Sequence, residues 1–328
     1  MSRPDTAPKW DVFDTAQNVA RISSQVRIEE EALNKLCKKI VEERVTVPAW
    51  NRRYHFDGAG RDRVFYLLVL DSLNFCFWPA PGKVKWEIDC KSEKLTGYYA
   101  LAIALKQALE SGIPITKADC LAKLSLGKLK QILGGKGKLQ LLQNRVKILN
   151  ALGQLLLEEY GGEATRLVES AGMSAVKVVR LLVEKLSSFQ DVTQYLGHAV
   201  FFYKRAQIFA ADLHGAFNGR EWGSFNDMDR LTAFADYKLP QVLRHVGILR
   251  YAQALSQKID QKMLLTSGSP DEIEIRANTI WAVELMRQEL NRMGRELRAF
   301  EIDWILWNMG QDLAFKARPY HRAVTIFY

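Results

Sequence analysis

Residues 200–249 read VFFYKRAQIFAADLHGAFNGREWGSFNDMDRLTAFADYKLPQVLRHVGIL. Apolar residues recur at helical spacing through Phe202, Ile208, Phe209 and Leu213, so this segment has one face to bury. Lys204, Arg205, Asp212, Asp236 and Lys238 stand among those apolar positions. Charges set so close to a buried face are costly unless they are paired or used. The spacing alone leaves two readings open, a salt-bridged core helix followed by an ordinary helix, or a site where chemistry is done. Either way the segment is helical.

The chain to either side is built in the same manner. On the amino-terminal side, VESAGMSAVKVVRLLVEKL is helix, glycine turn, helix, without the Gly-x-Gly signature of a phosphate-binding turn. Leu139 to Tyr160 is an amphipathic helix ended by Gly161-Gly162. Lys117 to Lys138 holds six lysines against one acid, Asp119, and its GGKGK lacks the Gly-x4-Gly-Lys-Ser/Thr spacing of a phosphate loop. That patch is either a solvated face or a contact for an acidic partner. Leu95 to Glu110 is a helix, and Lys83 to Asp89 (KVKWEID) alternates as a strand does. Val64 to Phe77 is almost continuously apolar and suits a buried helix, which would put Asp71 and Asn74 on one face. TVPAWNRRYHFDGAGRD reads as loop, Asp14 to Glu43 as helix, and residues 1–14 as a loose arm.

On the carboxy-terminal side, Gln253 to Lys262, Asp271 to Leu297 and Phe300 to Phe315 are helices; the last carries Asp303, Trp304 and Trp307. HRAVTIFY, residues 321–328, is β-branched and aromatic, and is expected to pair with Lys83 to Asp89. The expected fold is mainly α, a multi-helix globular fold with a small β element near 83–89 and 321–328. Residues 15–328 form a single compact domain, with room for two lobes and a site between them.

Composition narrows the function. In 328 residues, 48% hydrophobic and 25% charged is globular rather than disordered. No apolar run reaches the roughly 18 residues of a membrane span, and the start lacks a signal-peptide core, so a cytoplasmic protein is expected. Four scattered cysteines and five histidines show no zinc pattern, so neither metal nor cofactor is expected. A formal net charge of +9 favours an anionic partner without choosing between nucleic acid and nucleotide.

Several short motifs, in order, carry a resemblance: Arg61 to Pro79 (RDRVFYLLVLDSLNFCFWP), Phe202 to Gln207 (FYKRAQ), Ala211-Asp212, Phe234 to Tyr237 (FADY) with Leu239-Pro240-Gln241, and Pro319 to Arg322 (PYHR). From about Val19 to Tyr328 the chain resembles the queuosine salvage family, the queuosine 5'-phosphate N-glycosylases. The resemblance implies a fold similar to helix-hairpin-helix DNA glycosylases. It also implies release of the base queuine from a small nucleotide, queuosine 5'-monophosphate; a monomer is expected. The competing classes are a basic helical nucleic-acid-binding protein and a glycosylase acting on a flipped base in nucleic acid.

Such a hydrolase must stabilise an oxocarbenium-like sugar, a task for carboxylates. Asp236, set between Phe234 and Tyr237, is the leading catalytic candidate, with Lys204, Arg205 or Lys238 as its cation; the alternative is that it caps the helix near Pro240. Asp303 is the second catalytic candidate. Asp212 either holds the polar edge of the base or forms a core ion pair. Queuine is a 7-deazaguanine without an N7 to protonate, so its departure must be assisted elsewhere on the base. Asn74 and the aromatics Phe75, Phe77 and Trp78 are candidates to hold and stack on it, with Tyr237 beside Asp236. His198, Lys204, Arg205, His321 and Arg322 are the donors for a 5'-phosphate. Among them Lys204 is expected to reach the phosphate, and Arg205 to pair with Asp212.

Overall fold

The apolar run before Pro79 becomes the element on which the others pack. In the computed structural model, which describes residues 11–91 and 93–328, it forms the helix Gly60–Ser72, buried from Val64 through Ser72. A helix apolar on every side must be surrounded. The helices Gly97–Glu110, Leu142–Tyr160, Ala164–Ser170 and Lys204–Ala216 pack against it. The described residues hold fourteen α-helices, with strands confined to four two-stranded sheets. Two principal buried clusters result, one centred on Gly60–Ser72, the other on Glu30–Glu42, Pro270–Arg292 and Ala299–Met309.

Tertiary partners change several expected elements. The helical pattern over Asp14 to Glu43 is interrupted, giving helices Val12–Ile22 and Glu30–Glu42 around a strand, Val26–Ile28. That strand pairs antiparallel with Leu249–Tyr251, and the Glu274 carboxylate accepts the N–H groups of Gln25 and Val26. Of the arm expected over residues 1–14, residues 1–10 lie outside the described residues, and Val12 already opens a helix.

The buried helix stops at Ser72, five residues short of the expected Phe77. Beyond it the backbone carbonyls are drawn to two buried arginines. Arg145 donates to the carbonyls of Leu73 and Phe75, and Arg205 to those of Ser72 and Ser188. Cys76 then takes a positive φ of 48°. Asn74 therefore lies past the helix end and shares no helical face with Asp71.

The tail does not pair with residues 83–89. Arg322–Ala323 pairs in parallel with Leu264–Leu265, while Glu87–Cys90 pairs with Glu93–Thr96. The remaining edge at Lys85 and Glu87 is bridged by Lys138 and Lys136 of the GGKGK segment. Glycine makes that approach possible. Gly135 has φ of +77°, and a Cβ there would lie 2.4 Å from the Glu87 carbonyl oxygen. GGKGK is thus a structural brace. The six lysines from Lys117 to Lys138 are all exposed, Lys136 pairing with Asp89. All four cysteines are free.

Gly135→Ala should therefore cost about 2 kcal/mol or more of folding stability. Urea denaturation checks this, and an unchanged midpoint would show that the brace tolerates a side chain.

Candidate active site

The helix Lys204–Ala216 opens at Tyr203, which takes a left-handed conformation with φ of 49°. Lys204, Ile208 and Asp212 recur at four-residue spacing and line one cavity together, as the shared face of Lys204 and Asp212 requires. Its walls are aromatic, from Trp50, Tyr98, Tyr99, Phe234, Trp304 and Trp307. Its remaining polar groups include Asn74, His55, Asp236 and Asp303. This inner cavity joins an outer one, and Asn74, Tyr98, Tyr99, Lys204, Asp236 and Trp307 line both. The outer cavity is cationic, with Lys85, Lys238, Lys262, Lys316 and Arg322 on its walls.

Asp236 sits where the two cavities meet. Its Oδ1 accepts the N–H groups of Lys238 at 2.6 Å and Leu239 at 3.0 Å, at the start of the helix Lys238–His245. One oxygen thus does the capping that the sequence suggested, while the carboxylate as a whole faces both cavities. Asp303 Oδ2 accepts the Phe234 N–H at 2.8 Å. Burial pushes its carboxyl well above the usual range, and Asp236 and Asp212 add to that push.

Burial pushes Asp212 up to about 7. Its Oδ2 lies 3.0 Å from Tyr98 Oη, which is also 2.9 Å from His55 Nε2. Behind it is Asp71, fully buried, its carboxyl oxygens without a well-formed hydrogen bond and with the Asn74 side chain near enough to favour the charge. Burial and the neighbouring Asp212 push Asp71 well above its ordinary value. Lys204 Nζ donates to the Asn74 carbonyl at 3.2 Å. Burial lowers its affinity for the proton, against the pull of Asp236, Asp71 and Asp303.

Other expected residues fall elsewhere. Arg205 makes no ion pair with Asp212; it is spent on backbone carbonyls and lies 5.0 Å from the Phe75 ring. Phe75, Phe77 and Trp78 line the outer cavity, not the inner one. Phe75 is wholly buried, with the Arg145 guanidinium 4.0 Å from its ring. Tyr237, Lys238 and Arg322 also line the outer cavity. His198 is exposed on a hairpin and lines neither. His321 is buried behind the wall, 3.3 Å from Tyr328 Oη, and burial pushes it down to about 3.

The outer lysines crowd one another. Burial pushes Lys238 down to about 8, opposed by Asp236 and reinforced by Lys316 and Lys85. Lys85 is lowered by burial and by Lys316. Cations gathered this closely form a receptacle for an anion.

Residues 54–328 match the family described as queuosine salvage protein. The chain belongs to the queuosine salvage family. A relative from Sphaerobacter thermophilus named queuosine 5'-phosphate N-glycosylase/hydrolase is 43% identical over 324 residues, 99% of each chain. Relatives of the same name from Dictyostelium discoideum and Bos taurus are 36% and 32% identical, covering 97% and 96% of this chain and 98% of each relative. The resemblance read from the short motifs therefore holds over the full length.

For this queuosine salvage chain, the described residues include no group of three His, Cys, Asp or Glu placed to hold a metal ion. None of their helices is long and apolar enough to cross a membrane. Trp50, Asn51 and His55 come from the stretch read only as loop, and Tyr98-Tyr99 from a helix start. A tryptophan and a histidine among turn residues were the available signal, since scaffolded loops carry function.

The buried Asp71 gives a signed prediction. Its folded-state pKa is raised, so the native state keeps a proton that the unfolded chain releases near pH 4. Stability then falls as pH rises from that value toward the folded one. Asp71→Asn cannot ionise, so it should gain stability relative to the parent at pH 8 but not at pH 4. Denaturation midpoints at the two pH values test the difference, and an equal effect at both would contradict it.

Proposed function

We propose that this chain hydrolyses the N-glycosidic bond of queuosine 5'-phosphate, releasing queuine from ribose 5-phosphate. The observation that carries the reading is the junction. An aromatic, carboxylate-bearing cavity meets a cationic one at Asp236, Lys204 and Asn74. A flat base fits the first and a sugar phosphate the second, which brings the glycosidic bond to Asp236. Inside, Trp50, Tyr98, Tyr99, Trp304 and Trp307 supply the stacking surface expected of Phe75, Phe77 and Trp78.

Asp236 then faces the developing oxocarbenium ion and takes the proton of the attacking water. The two backbone N–H groups on Oδ1 fix its orientation without occupying both oxygens. Asp303, held by the Phe234 N–H, meets the polar edge of the base. The phosphate goes to Lys85, Lys238 and Lys316, with Arg322 beside them. Lys204, deeper and bound to the Asn74 carbonyl, serves the ribose side of the junction instead. The lysines from Lys117 to Lys138 line neither cavity, so the mononucleotide reading needs no nucleic acid. We read residues 15–328 as one catalytic domain whose site lies between its two principal clusters. The hairpin Ala164–Ser170 and Ala175–Lys185 supports kinship with helix-hairpin-helix glycosylases.

Incubation with queuosine 5'-phosphate, followed by chromatography, should yield free queuine and ribose 5-phosphate; intact substrate after long incubation would overturn the proposal. Asp236→Asn should lose about 100-fold or more in kcat. Its folding stability should move by less than about 1 kcal/mol, because asparagine caps as well as aspartate. Near-parental turnover in the folded variant would take Asp236 out of the chemistry.

The phosphate assignment is tested by a ratio. Lys316→Met should cut the preference for queuosine 5'-phosphate over queuosine about tenfold or more. A general folding defect lowers both efficiencies and largely cancels. If both substrates decline equally, Lys316 does not read the phosphate.

A further inference from the structure

The hydrogen-bond chain leading away from Asp212 has a direction, set at its far end by a backbone carbonyl. His55 Nδ1 lies 2.7 Å from the Asn51 carbonyl oxygen. A carbonyl only accepts, so Nδ1 carries a proton. A second proton would make a buried imidazolium. His55 is 3% exposed, its ring centroid 4.2 Å from that of Trp50. The nearby ammonium of Lys106, held by the carbonyls of Arg52 and Arg53, opposes further positive charge. Burial pushes the imidazole down to about 4, so near neutral pH Nε2 is a bare acceptor.

Tyr98 Oη, 2.9 Å from that Nε2, must supply the proton between them. A hydroxyl has one proton to give. Its second contact, 3.0 Å to Asp212 Oδ2, is then a hydrogen bond only if the proton there belongs to Asp212.

We infer that Asp212 is the acid of this site, its resting proton held by the one-way chain through Tyr98 to His55 and given to the departing base. Asp212 is the catalytic residue, whereas Tyr98 and His55 are positioning residues. This rests on the hydrolysis proposed above.

The groups around Asp212 agree. Tyr66 and Asp71 face it from the helix Gly60–Ser72, Tyr98 and Tyr99 from Gly97–Glu110, and Asp303 from Ala299–Met309. On its own helix Lys204 is the cation, and that ammonium is shared with Asp236, Asp71 and Asp303. Arg205 also acts on Asp71 and Lys238 on Asp236, but Asp212 has only its share of Lys204, which favours a proton on it.

The step balances without an oxidant or reductant. As the C1'–N bond breaks, its electron pair goes to the ring nitrogen of the base. The Asp212 O–H swings from Tyr98 to the base and its proton passes across, leaving a carboxylate. Tyr98 turns its own proton from His55 to Asp212 Oδ2, so the hydroxyl that held the neutral acid now holds its conjugate base. Water adds to C1', and its proton goes to Asp236. When the products leave, solvent carries that proton from Asp236 back to Asp212.

Two experiments decide it. In the free protein at pH 6, the infrared carbonyl band of a protonated carboxyl should be present and lost in part in Asp212→Asn. The same component should titrate at or above about 7, since Tyr98 gives its proton to His55 in place of Asp212. No difference band between parent and variant would overturn the assignment, whether or not the protein cleaves any nucleotide. If the band is present and queuosine 5'-phosphate stays intact, it is the hydrolysis that fails and not the proton's place.

With substrate, Asp212→Asn should lose about 100-fold or more in kcat, and the parent should lose activity as pH rises beyond about 7. His55→Phe keeps a ring against Trp50 but removes the acceptor. Tyr98 is then free to donate to Asp212, which favours its carboxylate, so the alkaline limb should move down by about one pH unit. An imidazolium at His55 with Tyr98 already donating to an Asp212 carboxylate predicts the opposite shift. A limb that rises or stays in place overturns the inference. Should His55→Phe fail to fold, the infrared comparison decides alone.

Discussion

The guanidinium of Arg276 ties the two halves of the site together. Its Nη atoms reach both oxygens of Asp191, at 2.9 and 2.6 Å, and its Nε donates to the Ala235 carbonyl at 3.0 Å. Asp191 in turn receives the Phe202 N–H on its carbonyl, just before the helix that starts with Lys204. Ala235 is the neighbour of Asp236. One side chain therefore sets the distance between the helix bearing Lys204 and Asp212 and the loop bearing Asp236. Burial works against its charge, but Asp191 and Glu272 more than offset that and hold the proton on Arg276 more tightly than usual. Such a pair is costly to break, because either partner left alone would be a buried charge.

Arg145 and Arg205 do a related task with no carboxylate hydrogen-bonded to either. Both are buried against the Phe75 ring and donate to main-chain carbonyls where the helix Gly60–Ser72 ends. Burial disfavours their charge, Arg205 adding to it at Arg145, while Asp191 and Asp71 pull the other way on Arg205. The carbonyls and the aromatic face together compensate. The consequence is local and functional. Residues that would have continued the helix are turned out of it, and Asn74 is delivered to the junction with its carbonyl on Lys204.

This explains what could be read in the sequence and what could not. Helix types and approximate limits were legible wherever periodicity was strong, as in Leu142–Tyr160 and Ala164–Ser170. The run into Phe77 misled because apolar content is equally high on both sides of the break. What ends the helix is a pair of arginines 73 and 133 residues further along the chain, from Ser72 to Arg145 and to Arg205. The tail's partner was misplaced for a similar reason, since the edge it was expected to use is taken by GGKGK, whose Gly135 and Gly137 only make sense beside residues 85–87. Asp236, Asp303, Asp212, Lys204 and Asn74 were visible as charged or polar residues among apolar ones. Trp50, His55 and Tyr98 were not, because their significance comes from the neighbours that fold against them.

The aspartates around the site are chemically identical, so their roles can differ only through their surroundings. Asp236 takes two backbone N–H groups and opens toward the cationic cavity; Asp303 takes one and is enclosed; Asp71 takes none. Asp212 meets a hydroxyl whose own proton is claimed by an imidazole. Lys204 accordingly feels Asp236 most strongly, and Asp71 and Asp303 less. In the function proposed above, a glycosidic bond placed across the junction meets the supported carboxylate on its sugar side and the enclosed acids on its base side. Positive charge builds on the sugar and negative charge on the base as that bond lengthens, so the order of the surroundings matches the order of the charges.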